Sequence, residues 1–299
     1  MDTTRAPSGR TIVVGADGSA GADTAVAWAA REAVTTGATL RIVNAWSVPT
    51  IMWPATVSVA YIDPADVRNG AMGILERARE LAEQAVGSLR LDVEVVAVQG
   101  GAAEQLLARS EDAALLVVGT RGRGGFASLV LGSVATTCAH HTGVPLAIVG
   151  AGAPPPGSAE IVVGVDDSPG GRAALRWAAQ EAGRVGSILR AVHAWEAPVA
   201  PGVEVLGVAW DPAFDDAVQH GFERLVAEEI DSNSDRPVVQ VVAVLGAASD
   251  ALLREAKGAG LLVVGSRGRG GFRELLLGSV GQHCLHHGDC PLVIVPTGR

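Results

Sequence analysis

Gly119-Thr-Arg-Gly-Arg-Gly-Gly-Phe-Ala-Ser-Leu-Val-Leu-Gly-Ser133 follows directly on the apolar run Leu115-Leu-Val-Val118 and leads into a segment of helical character. The same order returns as Gly265-Ser-Arg-Gly-Arg-Gly-Gly-Phe-Arg-Glu-Leu-Leu-Leu-Gly-Ser279 after Leu261-Leu-Val-Val264. A four-residue apolar run, too short for a buried helix, reads as a strand covered on both faces. A strand, a glycine-rich loop and a helix in succession are the parts of a parallel α/β sheet. The spacing is Gly-x2-Gly-x9-Gly-Ser in both copies, without the Gly-Lys-[Ser/Thr] of a Walker loop and without GxGxxG.

The repeat extends outward from these loops. Gly119 to Val149 and Gly265 to Val295 share 19 of 31 residues, and Ile12 to Trp46 and Ile161 to Trp195 share 19 of 35. The offset falls from 149 to 146 between the two blocks, so the second half carries a small net deletion. A period near 150 residues means a duplicated domain and not a solenoid. We expect an N-terminal domain over 1–150, a stiff linker with three prolines over 151–158, and a C-terminal domain over 159–299.

Within the first half, Ile12–Ala16 reads as a strand and Ala22–Thr36 as a helix capped by Ser19 and closed by Gly37. Leu40–Trp46 and Val93–Val98 are further strands, with a helix over Met72–Leu89 between them. Ala103–Arg109, Leu115–Val118, Ser133–His141 and Val144–Val149 complete a βαβα alternation. The expected fold class is therefore α/β, as two tandem doubly wound domains with parallel sheets. Val48 to Val67 and Ala197 to Pro212 read as irregular loops after the second strand, where ligands bind in such folds.

Composition narrows the function. The 299 residues are 48% hydrophobic and only 4% aromatic, so the core is aliphatic. No apolar run approaches the ~18 residues of a spanning helix, so no membrane insertion is expected. A net charge of −9 disfavours nucleic acid as a partner. Three cysteines are no disulfide framework, and the opening residues lack an apolar signal core. These features give the expectation of a cytoplasmic protein.

The glycine-rich loop has a physical reading as an anion site. Glycines let backbone N–H groups approach a phosphate, and the helix starting near Ser133 presents free amides and a positive dipole end. The Ser133 hydroxyl is a further donor, and Arg121 and Arg123 place positive charge on the rim.

On these motifs the sequence resembles tandem universal stress proteins, with a strand ending in Asp followed later by Gly-x2-Gly-x9-Gly-[Ser/Thr], twice over. The resemblance implies a five-stranded parallel sheet in the order 3-2-1-4-5 in each domain. It implies ATP as ligand, with Mg²⁺, one site per domain, and pairing of domains through the fifth strands. On it, Asp17 and Asp166 correspond to the aspartate that contacts the nucleoside, and Ala45 and Ala194 to the position beside the adenine. Gly119, Gly122, Gly132 and Ser133 form one phosphate loop, and Gly265, Gly268, Gly278 and Ser279 the other. The candidate set is completed by Gly15, Gly124, Gly125 and Val134 in the first half. Gly164, Arg267, Arg269, Gly270, Gly271 and Val280 complete the second.

Four further readings concern single positions. Asp167 replaces Gly18 and reads as a solvated turn carboxylate, against the alternative of a carboxylate near the triphosphate that changes the Mg²⁺ dependence of the second site. Cys284, His283 and His287 are spaced to share a helix face as zinc ligands, against a packing reading for the cysteines. His141 and His287 suit the carbonyl end of their helix. Trp53 and Trp210 fall in the irregular loops and are candidates to cover a ligand, whereas Trp28, Trp46, Trp177 and Trp195 read as core or rim.

The sequence has no Ser/His/Asp constellation, GxSxG or HExxH. The expected function is a nucleotide-dependent stress-response regulator with a regulatory protein partner, working as a homodimer of tandem chains. The alternatives are slow ATP hydrolysis or nucleotidyl transfer through Asp17 or Asp166, an ATP-stabilised interaction module, and cyclic AMP in the same pocket. No catalytic or metal-ligating residue is assigned.

Overall fold

The structure is a computed structural model and describes residues 10–48, 63–120, 122, 131–196, 212–230, 237–268 and 278–297. Two compact units emerge, residues 1–152 and 153–299.

The first unit runs β1 (Thr11–Gly15), α1 (Ala20–Thr36), β2 (Thr39–Trp46), α2 (Pro64–Val86) and β3 (Val93–Gln99). It continues through α3 (Ala102–Arg109), β4 (Leu115–Gly119), α4 (Ser133–His141) and β5 (Leu146–Val149). The second unit repeats the order as β6 (Ile161–Gly164), α5 (Pro169–Val185), β7 (Leu189–Trp195), α6 (Pro212–Glu229) and β8 (Val239–Leu245). It ends with α7 (Ala248–Glu255), β9 (Leu261–Gly265), α8 (Ser279–His287) and β10 (Leu292–Val295).

All strand pairs within each unit are parallel. β1 pairs with β2 and β4, β2 with β3, and β4 with β5, which is the expected order 3-2-1-4-5. The second unit has the same order, with β6 between β7 and β9. Helix α1 packs with α2 and α3 with α4, so the central strands are covered on both sides. Val13, Val14, Leu116, Val117, Leu146 and Ala147 are fully excluded from solvent, as are Val162, Val163 and Val293 in the second unit. An unbroken β-branched run suits that environment, because both side-chain faces of the strand bury apolar area.

Capping fixes the helix entries. Ser19 Oγ accepts a hydrogen bond from the Ala22 amide (3.2 Å), and Gly37 closes α1 in the left-handed conformation (φ 66°). Ser168 and Gly186 do the same for α5.

One boundary departs from expectation. Helix α2 begins at Pro64, well before Met72, with Asp63 Oδ1 accepting from the Ala65 amide (2.8 Å). A proline read as a breaker is favourable at the first helical position, where its missing N–H would have had no partner. Residues 64–67 are therefore helical and not part of the irregular loop. α6 likewise starts at Pro212. Trp53 and Trp210 lie outside the described residues.

Candidate nucleotide site

The carboxyl ends of β1 and β4, where the strand order reverses, carry Asp17 and the glycine loop, and β6 and β9 repeat this with Asp166. A crevice outside such a reversal point is where open α/β sheets bind ligands. In the second unit it is a cavity of about 680 Å³. Its lining includes the predicted residues Gly164, Asp166 and Ala194 from β6 and β7. Gly265, Arg267 and Gly268 come from the end of β9, and Gly278, Ser279 and Val280 from the start of α8.

The loop and the aspartate meet. A Cβ at Gly268 would stand 2.6 Å from Asp166 Oδ2, and one at Gly122 would press on Asp17 Oδ2. Asp17 Oδ1 accepts from the Ser19 amide (2.9 Å), and Asp166 Oδ1 accepts from the Ser168 amide (3.3 Å) and hydroxyl. Each aspartate thus braces the turn into its helix with one oxygen while the other faces the loop.

Helices α4 and α8 differ from α1 and α5 at their entry. Their N-caps, Gly132 and Gly278, provide no side-chain hydrogen bond, and neither first turn contains an acidic residue. The Gly132 amide donates to Thr120 O (2.7 Å) and the Gly278 amide to Ser266 O (2.9 Å), closing each loop onto its strand. The first turns of the two helices begin with Ser133-Val134 and Ser279-Val280. A helix N-terminus without a side-chain cap and without an acidic residue in its first turn favours an anion through its dipole and its orphan N–H groups.

Several glycines carry a packing demand. A Cβ at Gly119 would lie 2.6 Å from Gly21 O, and one at Gly265 2.6 Å from Gly170 O, both backbone atoms of the first turn of α1 or α5. Gly15 faces Leu106 (3.0 Å) and Gly164 faces Leu252 (2.6 Å). At these four positions glycine lets a helix lie directly against a strand end. Gly278 is different, since its Cβ would meet nothing nearer than 3.7 Å.

Ala45, the counterpart of Ala194, stands at the end of β2 paired with Val98. Arg121, Arg123, Gly124, Gly125, Arg269, Gly270 and Gly271 lie outside the described residues.

Asp167 does not face the cavity. Its Oδ1 accepts from Arg172 Nε (2.9 Å), and Arg172 also pairs with Glu229 of α6. Burial pushes the Glu229 carboxyl up, but hydrogen bonds from Arg172 and Arg176 outweigh it and hold the carboxyl below its ordinary value. A nearby cation captures Asp167, so this turn carboxylate belongs to an ion-pair network on the α5–α6 face and the alternative of a carboxylate in the cavity wall falls away.

The surroundings of the cysteines bear on the choice between zinc and packing. Among the described residues no group of three or more His, Cys, Asp or Glu side chains is placed to hold a metal. Cys138 and Cys284 are buried, and that burial pushes each thiol up to about 12. Packing accounts for them. His141 Nδ1 donates to Thr137 O (2.9 Å), the carbonyl-end role expected of it.

The sequence reading missed His193, Trp195 and Gly246, all in the cavity wall. Trp195 contacts Phe214 of α6 with ring centroids 5.3 Å apart. Gly246 has φ 133° and its counterpart Gly100 φ 138°, and each amide donates to the tryptophan ending the neighbouring strand. A glycine immediately after the third strand in both halves was the available signal.

With this geometry established, known proteins can be compared. The universal stress protein family model matches residues 9–150 and again 159–296. A universal stress protein of Mycobacterium tuberculosis is 34% identical over 294 residues, covering 95% of this chain and 96% of its own. One from Mycolicibacterium smegmatis is 32% identical over 291 residues, with 95% and 96% covered. The crystal structure of a universal stress protein from Archaeoglobus fulgidus shares the fold, with TM-score 0.70 at 18% identity over 96% of this chain and 98% of that one. Two matched domains and relatives aligned nearly end to end lead to one conclusion: this chain belongs to the universal stress protein family, with two family domains in tandem.

Proposed function

We propose that each unit binds one ATP, and that the bound nucleotide sets the conformation or partner choice of a stress-response regulator. One observation carries this reading. Asp166, the glycines at the end of β9 and the uncapped start of α8 line a single cavity of about 680 Å³, within the size range of small-molecule sites. Asp166 and Ala194 would hold the nucleoside end, while Ser279 and Val280 would hold the phosphates. Mg²⁺ would be held chiefly by the phosphates themselves, as is usual for this ion. The three cysteines are free, which supports a reducing compartment, the cytoplasm. The proposal includes a homodimer of tandem chains, and sedimentation showing only monomer at micromolar concentration would overturn that part.

Calorimetric titration of ATP, ADP and cyclic AMP into the wild-type chain and the Gly278→Val variant tests the site. Two equivalents of ATP for the wild type and one for the variant are expected. Unchanged stoichiometry and affinity in a folded Gly278→Val chain would refute the assignment. Cyclic AMP binding more tightly than ATP would replace the ligand and keep the site. ADP appearing from ATP during the titration would add turnover to binding.

A further inference from the structure

The two units use different side chains for the same tie across the mouth of the site. In the first, buried Asn44 donates from Nδ2 to Ala16 O (2.6 Å), the residue just before Asp17. In the second, the same position is His193, whose Nδ1 donates to Val165 O (2.8 Å), just before Asp166. A carbonyl oxygen only accepts, so Nδ1 carries a proton in both charge states of the ring, and Nε2 is the atom that titrates. An imidazole gains a proton within the physiological range, and a carboxamide has none to gain.

His193 belongs to the cavity wall together with the carboxylates of Asp166 and Glu196 and the guanidinium of Arg267. Its ring lies against Phe222 of α6, centroids 5.2 Å apart. One turn to either side of Phe222 are Val218, Gln219, Leu225 and Val226, and the strand neighbours on β8 are Val242, Ala243 and Val244, none of them charged. Arg172, the cation of the α5–α6 face, is engaged by Asp167 and Glu229. The other charged side chains on the elements packed against β7 include Glu223 and Arg224 of α6, Glu181 and Arg184 of α5, which pair with each other, and Asp250, Arg254 and Glu255 of α7, the last paired with Arg190.

We propose that His193 makes ligand binding in the second unit proton-linked, whereas Asn44 leaves the first unit without that linkage. The inference rests on the nucleotide reading of the cavity. Protonation adds a cation to a residue of the cavity wall. A polyphosphate ligand is an anion, so binding and protonation favour one another, and affinity rises as pH falls. The terminal phosphate of ATP also titrates, but it does so for both units alike, so the contrast between the units isolates the protein's contribution.

The test measures ATP affinity at pH 6 and pH 8 by calorimetry, reading the second unit in a Gly132→Val chain and the first in a Gly278→Val chain. The pH 8 to pH 6 ratio of Kd is expected to be about threefold to tenfold larger for the second unit, the scale of one added charge at partly screened distance. His193→Asn in the Gly132→Val chain should bring the two ratios together. Proton NMR of the wild-type His193 ring should show its titration moving to higher pH when ATP is added, without reliance on any variant folding. Equal ratios in the two units, a ratio unmoved by His193→Asn, or a ring titration unmoved by ATP would each overturn the inference alone. Absence of ATP binding at both pH values in the wild-type chain would overturn the nucleotide reading and this inference with it.

Discussion

The turns that lead from the first strand of each unit into its helix occupy the same place and are held by different means. In the first unit Gly18 adopts φ 79°, and Arg77 of α2 donates to its carbonyl (3.1 Å) and reaches Asp23 of α1 (3.4 Å). In the second, Asp167 replaces the glycine, no described non-glycine residue has positive φ, and the charges are exchanged, with Arg172 on α5 and Glu229 on α6. The first ion pair is largely exposed, at 54% and 31% of the side chains, whereas Glu229 is only 13% exposed and bound by two arginines. What both units keep is the glycine pair that brings the helix start onto the fourth strand, Gly21 with Gly119 and Gly170 with Gly265. Backbone approach is common to the two sites, and charge placement is free to change so long as it ties the same two helices.

The largest effect should come from that shared approach. Gly119→Val and Gly265→Val each place a side chain against backbone 2.6 Å away, which cannot move aside as a rotamer would. Each should cost about 3 kcal/mol, read by denaturant unfolding. If one of the two variants were as stable as wild type, the two helix entries would not be equivalent.

At Gly278 a Cβ would sit in ordinary van der Waals contact, its nearest neighbour Ser266 O 3.7 Å away. Here stability should hold while ATP affinity in the second unit falls at least about tenfold, or 1.4 kcal/mol. A fall in melting temperature without a change in affinity would make Gly278 a packing residue like Gly265.

The ion pairs separate the units more finely. Glu229→Gln should cost about 1–2 kcal/mol, the range of a charge-assisted hydrogen bond discounted for partial exposure. The folded Glu229 carboxyl is held below its ordinary value, so its contribution is present above about pH 4.3 and lost as pH falls through the lowered value. Unfolding of the wild type should show that acid-side loss, and Glu229→Gln should not. Asp23→Asn in the first unit should change stability by less than about 0.5 kcal/mol. Equal costs for the two substitutions would erase the distinction drawn from burial.

The smallest contrast is chemical. Burial lifts the Cys290 thiol to about 11, while Cys138 and Cys284 stand near 12, and Cys290 is the least buried of the three. Alkylation of the native chain at pH 8 should be slow and should mark Cys290 first, with Cys138 and Cys284 following only on unfolding. Labelling of native Cys138 at the unfolded rate would contradict its packing in the core.

Much of this was legible in one dimension. Ile12–Val14 and Leu115–Val118 are apolar without alternation, which only a strand with both faces covered explains, and Ser19 and Gly37 mark the ends of α1 in chemical terms. The duplicated glycine spacing pointed to the loop, and the structure brings nine of the predicted second-unit residues to one cavity wall. Other positions were not readable. Pro64 looks the same in a sequence whether it breaks a helix or opens one, and Asp63 decides the matter only through its hydrogen bond. The ion pair of Asp167 was not visible because its cation, Arg172, sits five residues on and is completed by Glu229 more than fifty residues away.

The sequence alone determined the duplication, the α/β class, the aliphatic core and the position of the glycine loops between strand and helix, because periodicity, capping and glycine spacing are local properties of the chain. The tertiary structure decided which glycines serve packing and which border open space, since that depends on what another element brings within 3 Å. It also decided that Asp167 is an ion-pair member and that His193 stands in the cavity wall where Asn44 stands in the first unit. Charge and proton chemistry depend on neighbours distant in sequence, and only the folded chain supplies them.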